Sequence, residues 1–176
     1  MEKFEDKLKQ ILLQYLRQEG AIGERFPICP DVEEKWKTLL EAYLPDGVRE
    51  FNDYPMVSLG WTMFLGMAIA KYWDEDWVKY DNMSFLYEYI RDKRGFDEMD
   101  EYILEEVLNF DEEKCKKTTE LVAECSSITN DFLRHSNIEP GTKEAIEAYI
   151  QSLNQLYLMG MAVQLNEMGY KMLGLN

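Results

Sequence analysis

The chain has 176 residues, of which 34 are acidic and 19 basic, for a net charge of -15. A field of that sign repels phosphate backbones and anionic lipid headgroups, so nucleic-acid and membrane partners are excluded as expectations, and a basic protein partner is favoured. Nearly half the residues are apolar and Pro and Gly are sparse, the composition of one folded, helix-rich domain rather than of a disordered segment.

The first predicted helix runs from about Lys3 to Gln18, with Phe4, Leu8, Ile11, Leu12, Tyr15 and Leu16 as its apolar stripe. The N-terminal stretch Met1–Asp6 is acidic and amphipathic, without the basic and apolar regions of a signal peptide. Gly20 is placed as the stop, and a loop follows to Pro30. Asp31 and Glu34 have capping-box spacing for a second helix carrying Val32, Trp36, Leu39, Leu40 and Tyr43. Pro45-Asp46-Gly47 is turn chemistry and is expected to end it.

A third helix, about Met56 to Trp73, is apolar nearly all round and should be central. Tyr54 to Ala70 is 17 uncharged residues, short of the roughly 20 of a membrane span. Asp74 to Asp81 reads as an acidic, aromatic connector. A short fourth helix spans about Met83 to Lys93, and Asp97 is the expected N-cap of a fifth. Asp111-Glu112-Glu113 opens a sixth, which reaches about His135. Pro140 to Met172 forms the last. The fold class is therefore all-α, a single-domain bundle of about seven helices.

Two apolar stretches echo each other. Ser58-Leu59 precedes Gly66-Met67-Ala68, and Ser152-Leu153 precedes Gly160-Met161-Ala162 at the same spacing. The echo suggests two similar antiparallel helical halves, 1–80 and 95–176, each with its apolar Gly-Met-Ala helix as its last long one. Glycine inside a helix costs about 1 kcal/mol against alanine, so Gly66 and Gly160 imply close helix–helix approach.

Three candidate sites follow. The acidic–aromatic residues Asp74, Glu75, Asp76 and Trp77, with the carboxylates Asp97, Glu98, Glu101 and Glu105, suit a surface that docks a basic protein. Trp61, Met63, Gly66, Met67, Tyr157, Gly160 and Met161 could line an adaptable apolar pocket for a small molecule or lipid tail. Glu120, Glu124, Asp131 and the sole histidine, His135, form a carboxylate–histidine series on one helix, a weaker basis for a metal-dependent enzyme.

No serine-nucleophile elbow or phosphate loop is present in the sequence. Cys29, Cys115 and Cys125 lack metal-type spacing and read as reduced structural thiols of a cytoplasmic protein. The leading expectation is a non-catalytic interaction protein with a basic partner and no cofactor, and a homodimer through an exposed apolar helix face as a further expectation.

Overall fold

The computed structural model describes residues 3–170, and the expected helix end at Met172 and the tail of the second half lie outside them. Among the described residues there are seven α-helices and no strand. They are α1 (Phe4–Gln18), α2 (Pro30–Asp53), α3 (Pro55–Asp81), α4 (Leu86–Arg91), α5 (Met99–Tyr102), α6 (Glu112–Arg134) and α7 (Lys143–Glu167). A 3-10 turn, Phe96–Glu98, leads into α5, and a π turn, Ile103–Val107, leaves it.

The signals closest to the backbone behave as the sequence implies. Gly20 has φ +72°, and the N–H groups of Gly20 and Ala21 return to the carbonyls of Arg17 and Leu16, closing α1 with a Schellman pair. The Asp111 carboxylate accepts the Lys114 N–H at 2.8 Å and caps α6.

Elsewhere tertiary contacts override local propensity. The second helix does not stop at Pro45-Asp46-Gly47 but continues to Asp53. Pro45 is exposed, while Asp46 and Gly47 are buried. A Cβ on Gly47 would stand 2.6 Å from the Tyr43 ring and 2.7 Å from the Tyr149 hydroxyl, so this glycine is kept for space. The Asp46 carboxylate is gripped by Tyr87 at 2.6 Å, Arg49 at 2.8 Å and Arg91 at 3.1 Å. Three partners on one buried carboxylate hold the helix through its proline.

The capping box at Asp31 and Glu34 is also corrected. Cys29 precedes the helix, Pro30 takes its first position, and no side chain caps it. Asp31 instead accepts the Trp73 indole N–H at 3.0 Å. The third helix runs past Trp73 to Asp81, with extended backbone at Asp76 (φ -162°, ψ 76°). The Asp76 carboxylate faces the Lys79 N–H at 3.3 Å, so Asp76 restarts the helix as a cap. Lys35 closes the far end: its buried ammonium donates to the carbonyls of Asp81 and Met83 at 2.9 and 3.1 Å.

The expected fourth helix shrinks to Leu86–Arg91, and the last helix starts at Lys143 on a Thr142 cap rather than at Pro140. Asp97 lies within the 3-10 turn and caps nothing.

One hydrophobic cluster runs through the molecule, with α3 and α7 at its centre. Ser58 bonds Tyr149 at the start of the pair, and Gly66 and Gly160 meet the partner helix further on, so the two run in the same direction. A Cβ on Gly66 would stand 2.1 Å from the Tyr157 carbonyl oxygen, and one on Gly160 would stand 2.0 Å from that of Met63. The two contacts interchange under the same shift of 94 residues that relates the echoed sequences, taking 66 to 160 and 63 to 157. The crossing is therefore reciprocal, each glycine admitting the other helix's backbone.

Candidate functional site

The acidic–aromatic connector is brought into one place but is engaged internally. Asp74 accepts from the Tyr170 hydroxyl, Glu75 pairs with Lys71 at 3.6 Å, Asp76 caps its own helix, and Trp77 is half-buried. These groups have structural partners before any outside molecule arrives.

The second acidic group is different. Residues 95–113 contain nine carboxylates and no basic side chain. Met99, Ile103, Leu104, Val107 and Leu108 face inward, while Asp97, Glu98, Glu101, Glu105, Glu106, Asp111, Glu112 and Glu113 are exposed. The π turn makes this division. Leu108 donates to Ile103 at 2.8 Å, and Phe110 to Leu104 at 3.0 Å, across Asn109 at φ +54°. The segment is moored by the Trp61 indole N–H on the Phe96 carbonyl at 2.7 Å. Arg94 bonds Glu105 at 2.8 Å and lies 3.7 Å from Glu106. Among the described residues no ion pair engages Asp97, Glu98 or Glu101. Asp100, half-buried between them, is held above its ordinary carboxylate range. Burial is the main cause, the charges of Glu101 and Glu98 add to it, and backbone N–H bonds oppose it.

Of the seven residues expected to line an apolar pocket, Met63, Gly66, Met67, Tyr157, Gly160 and Met161 lie at the α3–α7 crossing, whereas Trp61 turns away to the Phe96 carbonyl. Met63, Met67, Tyr157 and Met161 are almost wholly buried there. The room left by the glycines is taken up by the neighbouring backbones. Tyr157 stacks on Trp36 with centroids 4.3 Å apart and donates to the Val32 carbonyl at 2.8 Å. Open volume lies beside this crossing, where Met67 is the one member of the set that reaches it.

That volume is a groove of about 640 Å³ between the end of α1, the first half of α6 and the last turns of α7. Met67, Leu121 and Val163 give it an apolar floor, and Thr118 and Gln164 also line it. Both residues are more than nine-tenths buried, and no side-chain hydrogen bond joins either to a described residue. The enclosed side-chain atoms left without a partner among the described residues are Glu88 Oε1 and Gln155 Oε1, so the polar atoms of Thr118 and Gln164 open onto the groove. Tyr15, Glu19, Glu120 and Glu124 form one end. The Tyr15 hydroxyl is pushed up to about 12, by burial first and then by nearby negative groups, including Glu19, Glu124 and Glu120. Lys114 and Lys117 also line the groove, but Lys114 is paired with Glu167 and Lys117 with Glu113. Sequence reasoning did not find this site. The available signal was a glutamine interrupting the apolar stripe of the last helix.

The expected carboxylate–histidine series divides. Glu120 and Glu124 belong to the groove, whereas His135 lies at the other end of α6, its Nδ1 2.7 Å from the Asp131 backbone oxygen. Among the described residues no three His, Cys, Asp or Glu side chains converge in a metal-holding group. All three thiols are pushed up by burial, Cys125 to about 12, which keeps them protonated. No helix among the described residues is long and apolar enough to cross a membrane.

No protein-family model, curated protein or solved structure matches this chain.

Proposed function

We propose that the chain is a non-catalytic interaction protein whose carboxylate face, Asp97 to Glu113, receives a basic protein partner. The observation that carries this reading is the density of exposed charge: eight exposed carboxylates in a segment with no basic residue of its own. Their inward neighbours are fully buried, so the charges sit on a fixed scaffold and little ordering is needed on contact. Such a face raises encounter rates with a positive surface and makes association sensitive to salt. Glu98 and Glu101 are its centre, and Arg94 limits attraction at Glu105 and Glu106.

A lysine-rich peptide as probe, titrated by fluorescence anisotropy, tests the reading. Glu98→Gln, Glu101→Gln and Glu105→Gln together should weaken binding about tenfold or more at low salt. The control substitutes Glu34, Glu41 and Glu144, which are exposed elsewhere, and changes the net charge equally. If the two triple variants lose affinity alike, attraction is merely global and the face has no special role.

A further inference from the structure

The groove beside the α3–α7 crossing is lined by Thr118 and Gln164, largely buried residues with no side-chain hydrogen bond to a described residue. The uncompensated charge at its α1–α6 end is negative, from Glu19, Glu120 and Glu124, because both lining lysines are already paired. From Lys114 to Glu124 the α6 wall extends about 15 Å at the usual helical rise. A groove of this volume falls in the range of small-molecule sites. Its chemistry combines carboxylates and a tyrosine ring at one end, an apolar floor, and a hydroxyl and a carboxamide able to bond an N–H or an oxygen.

We propose that this groove binds an aliphatic ammonium group on an apolar stem. The ammonium sits among Glu120, Glu124 and Tyr15, the methylenes lie over Met67 and Val163, and a second polar group bonds Thr118 and Gln164. A free polyamine and a projecting lysine side chain share this chemistry. The groove's carboxylates, Glu19, Glu120 and Glu124, are none of those in the face from Asp97 to Glu113, so either proposal can fail without the other.

Calorimetry on the full chain tests it with two probes, spermidine and a short peptide bearing one lysine. Glu120→Gln with Glu124→Gln should weaken the bound probe about tenfold. Glu98→Gln with Glu101→Gln, an equal charge change outside the groove, should leave it within about twofold. Gln164→Leu and Thr118→Val should each weaken binding severalfold in protein that melts as the parent does, and Thr118→Val carries this arm if Gln164→Leu fails to fold. Spermidine responding to the groove variants identifies a free amine as ligand, and the peptide responding identifies a lysine side chain. Binding of neither probe, or equal losses in the two charge pairs, overturns the site.

Discussion

Gly160 and Gln164 lie one turn apart on the same side of α7, and their surroundings are opposite. At Gly160 the neighbouring helix comes so close that no Cβ fits, and every group nearby is buried. At Gln164 the chain buries a carboxamide without giving it a described partner, beside open volume. The first arrangement removes side chain to bring backbones together. The second keeps polar atoms where an apolar residue would pack more cheaply. Close packing serves the fold, whereas a carboxamide opening onto a groove leaves its bonds to solvent or to the ligand proposed above.

The largest effect should come from closing the tight side. Gly160→Ala or Gly66→Ala pushes a methyl group into a carbonyl of the facing helix, where no flexible side chain can yield. Each should cost about 3 kcal/mol, the upper part of the overpacking range, which lowers the melting temperature by about 6–12 °C for a chain of this size. Gly23→Ala, with nothing near its added Cβ, should change stability by less than about 0.5 kcal/mol. Similar melting curves for Gly160→Ala and Gly23→Ala would remove the close crossing from this account.

Asp46 sharpens the comparison from the polar side, because it is buried like Gln164 but fully partnered. Burial alone would raise its carboxyl. The hydrogen bonds from Tyr87, Arg91 and Arg49 outweigh burial and hold it below the ordinary value. Asp46→Asn should cost about 2 kcal/mol at neutral pH, the loss of charge-assisted bonds. A carboxyl lowered in the folded state contributes stability that is fully present above its unfolded value near ~3.9, and that stability is lost as pH falls through the lower folded value. The gap between parent and variant in urea titrations should thus stay constant from neutral pH to about 5, and narrow below about 4. A gap that widened in acid would reverse the assigned direction.

How much of this was legible follows from where each signal resides. The all-α class, the Gly20 stop, the start of α6 at Asp111 to Glu113 and the two close-packed glycines were readable because each depends on neighbours within a turn, or on a residue missing its side chain. The course of α2 through Pro45 was not, since Tyr87, Arg91 and Tyr149, far away in sequence, decide it. The carboxylates Glu98 and Glu101 were legible as an exposed face, but the locally engaged Asp74 to Asp76 looked equivalent in sequence. The groove was invisible because its walls come from three separated helices, and a lone Gln or Thr on an apolar helix means nothing until its partners are known to be missing.

The smallest effect is the one that discriminates best between packing and function. If Gln164 served the fold, replacing it would carry the cost of a lost bond, as Asn166→Leu should, since Asn166 donates to the Ala21 carbonyl at 3.0 Å. With no described partner to lose and its polar atoms open to the groove, Gln164→Leu should change unfolding free energy by no more than about 0.5 kcal/mol. Asn166→Leu should cost about 1 kcal/mol in the same denaturant titration. Equal costs at the two positions would mean that Gln164 has a structural partner, and the contrast with Gly160 would then be one of packing alone.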